Sequence, residues 1–130
     1  VVLGHIDPAH FPSAFGPDGD QPLDAAASFA ALDALAREMG AADARAAAEG
    51  FIAVAVEQMA QAIRRISTER GFDPRDHALV AFGGAAGQVC CAVADALGIT
   101  QILSPLYASL LSAHGIGAAR VRVVRQAGLE

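Results

Sequence analysis

The spacing of apolar residues changes twice along the chain and divides it into three stretches. Residues 1–23 have no period: "GHIDPAHFPSAFGPDGDQPLD" scatters Phe11 and Phe15 among Pro8, Pro12, Pro17 and Pro22. Prolines at this density exclude a long helix, and "GPDGD" predicts a tight turn. From Asp24 the period becomes helical, with Phe29, Leu32, Leu35, Ala36 and Met39 recurring three or four apart. Asp24 suits the N-cap and Gly40 the stop of this first helix. A second, longer helix is predicted from about Ala42 or Asp43 to Arg70, with Ile52, Ala55, Val56, Met59, Ala62, Ile63 and Ile66 as its apolar stripe. Gly50 marks a place where it could split, and Gly71 followed by Pro74 ends it.

Past residue 77 the helical period gives way to short apolar runs. Ala78 to Phe82 reads as a strand buried on both faces, the glycine-rich turn "GGAAG" follows, and Ala86 to Leu97 reads as a helix with Val89, Cys90, Val93 and Leu97 inward. Gly98 closes that helix and Ile99 to Leu103 forms a second strand, ended by Pro105. Strand, helix and parallel strand make a βαβ unit with an expected right-handed crossover. Tyr107 to His114 predicts a short helix broken at Gly115 and Gly117, and Val121 to Val124 a last strand. The expected organisation is an irregular N-terminal arm, residues 1–23, and a single α/β domain, residues 24–130, with two long helices preceding the βαβ unit.

Composition narrows the function classes. The chain has 130 residues, a formal net charge of −5 and 54% hydrophobic residues. The acidic balance argues against a nucleic-acid footprint. No apolar run approaches the roughly 20 residues a membrane span requires, and no signal-peptide pattern is present, so a cytoplasmic protein with no membrane association is expected. With 5% aromatics and no Trp, the core is expected to be aliphatic and rich in alanine. Cys90 and Cys91, the two cysteines, are neighbours on a helix and are expected to be buried, unbonded thiols in a reducing compartment. Val1 in first position and Leu129-Glu130 in last suggest a piece of a larger protein.

The candidate chemistry centres on Phe82-Gly83-Gly84-Ala85-Ala86-Gly87. Glycines let a backbone approach a ligand closely, and the following helix offers free N–H groups and the positive end of its dipole. Such a turn suits a phosphate or the sugar of a nucleotide; alternatively, its small residues serve only tight strand–helix packing. A dinucleotide fingerprint expects GxGxxG and an acidic residue after the second strand, where this chain has Ser104-Pro105-Leu106-Tyr107. A P-loop is excluded, since no Gly-Lys-Ser/Thr follows and the chain contains no lysine. His5, His10, His77 and His114 lack the neighbours of a metal site. Ser112 and His114 are the candidates for nucleophilic catalysis, without a GxSxG elbow. Asp7, Asp18, Asp20 and Asp24 read as a solvated loop rather than a cation site.

Three segments carry a family resemblance: "EGFIAVAVEQMAQAIRRISTERGFDPRDHALVAFGGAAGQVCCAVADALGI", then "SPLYASLLSAHGIGAA", and upstream "VVLGHIDPAHFPSAFGPDGDQPLD". Together they resemble the hydantoinase A / 5-oxoprolinase family over nearly the whole chain, and "DQPLD" and Gln88 resemble its 5-oxoprolinase branch. The resemblance implies part of an actin-like ATPase (RNase H-like) lobe, with the glycine turn as its adenosine-side turn. It implies ATP and Mg²⁺ as cofactors of the intact protein, which opens a 5-oxoproline or hydantoin ring by ATP hydrolysis, ATP phosphorylating the lactam oxygen. It also implies Gly83, Gly84, Ala85, Gly87, Gln88 and Glu57 as nucleotide-facing residues, and catalytic and metal-binding residues outside this chain. The expected partner is the remainder of a parent polypeptide or a second subunit, with self-association of the isolated piece. The pattern departs from the family where Val89 replaces a common His, Val56 a common Asn, Ala86 a common Gly and Ser109 a common Gly. Two polar groups are thereby replaced by valines that cannot hydrogen-bond, which keeps open a non-catalytic packing or assembly module from a divergent homologue.

Overall fold

A computed structural model describes residues 1–124. Contacts gather them into two compact units, one from Val1 to Asp73 and one from Pro74 onward.

The first unit is an irregular arm followed by an αα-hairpin. In the arm, Asp7 accepts a hydrogen bond from the Ala9 N–H at 3.0 Å and caps a single 3-10 turn, Pro8–His10. The predicted "GPDGD" turn brings Phe15 and Gln21 into an antiparallel bridge, and the Phe11 and Phe15 rings meet at 6.3 Å. Helix α1 spans Ala25–Met39 and helix α2 spans Ala44–Glu69. Asp24 accepts from the Ala27 N–H at 2.8 Å and Asp43 from the Ala46 N–H at 2.7 Å, so an aspartate opens each helix as an N-cap should. At the end of α1, Ala41 N–H bonds Ala36 C=O at 2.9 Å, which closes the helix at Gly40. Helix α2 runs unbroken through Gly50, the one place where it could have split: the i→i+4 ladder continues because an interior glycine costs only about 1 kcal/mol.

The hairpin core is made of small residues. Ala36, Ala44, Ala47, Ala48, Val56 and Ala60 are buried, and α1 packs on α2. The apolar stripes are therefore only partly covered. Leu32, Ile52, Ala55 and Ile63 are half-buried, while Phe29, Leu35, Met39, Met59 and Ile66 remain exposed with Phe51 and Val54. Close approach of two alanine-lined helices leaves longer side chains at the flanks, where a single neighbouring helix cannot reach them.

The second unit is α/β. Strand β1 (Leu79–Val80) pairs in parallel with β2 (Ile102–Leu103), in the register Leu79 to Ile102 and Val80 to Leu103. Helix α3 (Cys90–Leu97) connects them, as expected of a βαβ unit, and buries Val93, Ala94 and Leu97 beside Ala81 and Ile99. Both strands are shorter than the apolar runs, and the expectation of burial on both faces is corrected. Val80 (47% exposed), Phe82 (53%) and Leu103 (56%) lie open, because no described element of the unit covers that side. Two further corrections concern the end of the chain. Helix α4 (Leu111–Ala118) continues through Gly115 and Gly117, where a break was expected. Residues 119–124 form no strand, and they have no partner strand to pair with among the described residues. Leu129 and Glu130 lie outside the described residues.

Candidate functional site

The glycine turn joins β1 to α3, and its geometry follows from three hydrogen bonds. Gly83 adopts φ +97°, a conformation that glycine takes without a Cβ penalty. Its N–H donates to Ala108 C=O at 2.8 Å, which ties the turn to the segment after β2. Ala86 N–H returns to Gly83 C=O at 3.4 Å, and Gln88 N–H bonds Ala85 C=O at 3.1 Å within a 3-10 turn, Ala86–Gln88. Val89 then leads into α3 with no side-chain cap.

What the turn leaves free matters more than what it uses. The N–H groups of Gly84, Ala85 and Gly87 have no acceptor among the described residues, nor do those of Cys90, Cys91 and Ala92 in the first turn of α3. A Cβ built on Gly83, Gly84 or Gly87 meets nothing within 4 Å. Gly84 and Gly87 also lack a positive φ. Neither packing nor backbone strain among the described residues therefore demands glycine at 84 or 87. Tight strand–helix packing would place neighbours at those positions, and none lies within 4 Å among the described residues.

The residues singled out in the sequence fall in both units. Gly83, Gly84, Ala85, Gly87 and Gln88 share the one turn of the second unit, with Ala85 and Gln88 exposed. Glu57 lies on α2 in the first unit, where its Oε1 accepts from Gln61 Nε2 at 3.0 Å and from Arg64 Nη1 at 3.2 Å. Val56, at a position where the family resemblance expects Asn, is part of the buried hairpin core, and Val89 is half-buried. Ser112 and His114 share α4, but no hydrogen bond joins them; the His114 ring instead stacks on Tyr107, centroids 6.3 Å apart and planes 29° apart. Tyr107 escaped the sequence reading as a site residue. Its only signal was its place in Ser104-Pro105-Leu106-Tyr107 after the second strand, where a ribose-holding carboxylate was sought and not found.

The cysteines correct another expectation. Cys90 is half-buried and Cys91 exposed, both free, because the first turn of α3 emerges from the open glycine turn rather than from the core. Cys90 Sγ lies 3.9 Å from Gly87 C=O. The hydrogen bond with Cys90 pushes the Cys91 thiol above its ordinary range; the Cys90 charge, desolvation and the Asp95 carboxylate act in the same direction. Among the described residues no three His, Cys, Asp or Glu side chains gather as a metal site, and no helix is long and apolar enough to cross a membrane.

Comparison with known proteins gives the family of this chain. The family model for hydantoinase/oxoprolinase matches residues 1–125, and the chain belongs to that family. It is similar to 5-oxoprolinase 1 of Arabidopsis thaliana, 41% identical over 93% of this chain and 10% of that protein. The 5-oxoprolinase of Saccharomyces cerevisiae is 42% identical over 89% of the chain and 9% of its own length. The caprolactamase subunit alpha of Pseudomonas jessenii is 43% identical over 66% of the chain and 13% of its own length. The chain thus spans about a tenth of the length of the 5-oxoprolinases it matches.

Proposed function

We propose that this chain carries the nucleotide-facing turn of an ATP-dependent cyclic-amide hydrolase, within part of an actin-like ATPase lobe. The observation that carries the reading is the turn itself: three unengaged N–H groups, with glycines at 84 and 87 that nothing among the described residues requires. Backbone donors at a glycine turn before a helix suit phosphate or sugar oxygens. The named activities of the relatives supply the reaction class, since 5-oxoproline and caprolactam are both lactams.

In this reading Gly84, Ala85 and Gly87 donate backbone N–H groups to the nucleotide. Gly83 holds the turn through its bond to Ala108 and donates nothing to a ligand. Gln88, exposed at the end of the turn, offers a side-chain amide, and Glu57 enters by family resemblance. Bound ATP would supply the phosphoryl group that turns a lactam oxygen into a leaving group. Mg²⁺ fits none of the described residues, since no carboxylate cluster is present among them to hold it, and its ligands belong to a longer protein or a second subunit. The protein is accordingly proposed to act together with such a partner, and the isolated chain to bind nucleotide without turnover.

Isothermal titration of the chain with Mg-ATP tests the reading. Heat that saturates, together with a raised melting temperature, supports it. Gly87→Val should abolish that heat without unfolding the chain, because its side chain enters open space. No heat and no thermal shift at millimolar nucleotide overturns nucleotide binding and favours the packing or assembly module. Tight NAD binding instead would restore the dinucleotide reading.

A further inference from the structure

The bond from Gly83 N–H to Ala108 C=O, 2.8 Å, holds the residues after β2 against the glycine turn. Tyr107 precedes that carbonyl directly. Its own C=O accepts from Leu110 N–H at 2.9 Å, and Ala108 N–H bonds Pro105 C=O at 2.9 Å, so Tyr107 sits in a doubly pinned turn rather than on a loose loop. The ring is stacked by His114 of α4 at 6.3 Å and 29°, yet remains 58% exposed. The imidazole lies near-parallel to the phenol, and more than half of the tyrosine is open to solvent. An exposed aromatic ring held by a second ring, one residue from the anchor of a glycine turn, is a stacking platform.

We infer that Tyr107, backed by His114, stacks against the purine base of the nucleotide whose phosphate or sugar oxygens meet the N–H groups of Gly84, Ala85 and Gly87. The inference rests on the nucleotide reading of the turn and adds to it the residues that recognise the base. A planar purine matches the ring face, whereas a saturated lactam ring lacks the π-surface that stacking uses. Tyr107 is a binding residue here and His114 a positioning residue, which fixes the tyrosine ring without touching the nucleotide.

The chain provides its own probe, since Tyr107 is its one tyrosine and tryptophan is absent. Intrinsic tyrosine emission therefore reports on this ring alone. Titration with ATP should quench the emission with the same midpoint as the calorimetric heat, after correction for nucleotide absorbance. Inorganic triphosphate, which has no base, should leave the emission unchanged. Tyr107→Ala should weaken ATP binding roughly tenfold, the loss expected for one base–aromatic stack, while Tyr107→Phe retains affinity. His114→Ala should weaken ATP less than Tyr107→Ala and broaden the quenching, and should leave triphosphate binding unaltered. Circular dichroism on each variant separates a lost contact from a lost fold, and the emission of the unaltered chain, titrated with ATP and with triphosphate, decides the question if Tyr107→Ala misfolds. If ATP binds with full heat but leaves the emission and the Tyr107→Ala affinity unaltered, the stacking inference is wrong and the nucleotide reading stands. If neither ATP nor triphosphate binds, both fall together.

Discussion

At the scale of single residues, the glycines of this chain do two different jobs. Gly98 ends α3 with φ +70°, and Ile99 N–H closes the cap on Ala94 C=O at 2.9 Å. A Cβ there is strained by the left-handed backbone and would press on Arg75 Cγ at 3.3 Å. Gly98→Ala should therefore cost about 1–2 kcal/mol, read as a lower urea midpoint by circular dichroism. Gly84 and Gly87 carry no such internal burden, and that contrast is the argument for a ligand at the turn. Cys91 gives a second prediction at this scale. Its thiol is held above the ordinary range, so at neutral pH it is more fully protonated than a free cysteine. Iodoacetamide should modify Cys91 more slowly than a model thiol at pH 8, and the rate should climb only at higher pH. Faster modification than the model thiol would show that the free N–H groups at the start of α3 dominate over Cys90 and Asp95.

At the scale of elements, the legible features were those set by local chemistry. Asp24, Asp43, Gly40, Gly71 and Gly98 marked both ends of α1 and α2 and the end of α3 within a residue or two, since caps depend on the residues beside them; the start of α3, expected at Ala86, falls at Cys90, because Ala86–Gln88 form a 3-10 turn instead. The glycine turn between β1 and α3 was legible for the same reason. Burial was less so. Ile66 and Met59 keep the period of an inward stripe but lie exposed, because period reports which face is apolar and not whether a neighbour covers it. Gly115 and Gly117 did not break α4, since glycine weakens a helix by about 1 kcal/mol and does not forbid it as proline does. Tyr107 gained meaning only through a bond between Gly83 and Ala108, residues far apart in sequence, which no local pattern encodes. Gly50 offers the test at this scale. It sits inside α2, its φ is ordinary, and a methyl group added there would meet nothing within 4 Å. Gly50→Ala should stabilise the hairpin by about 0.5–1 kcal/mol, seen as a raised melting temperature. A destabilised variant would mean that Gly50 contacts another surface closely.

At the scale of the whole molecule, the sheet of the α/β unit is covered by α3 on one side and, among the described residues, leaves apolar side chains exposed on the other. A parallel sheet normally has both faces covered, because its strands are apolar on both. Here α3 buries Val93, Ala94 and Leu97, while Val80 and its register partner Leu103 lie exposed together with Phe82. Apolar side chains adjacent on one sheet face lose free energy to water that any apolar cover recovers, at about 25 cal/mol per Å². In a solution of the chain alone, a second copy is the available cover, so the chain should self-associate. Sedimentation velocity should show the mean sedimentation coefficient rising with concentration. Leu103→Lys places a charge on that face and should return the chain to a monomer, with little loss of stability because the position is already open to solvent. A strict monomer at every concentration, for the unaltered chain, would show that these three side chains are too small a patch to drive association. A rise that persists in Leu103→Lys would move the contact to another exposed apolar surface, such as the flank of the αα-hairpin around Phe51 and Val54 or the side chains of Leu106, Leu110 and Ile116.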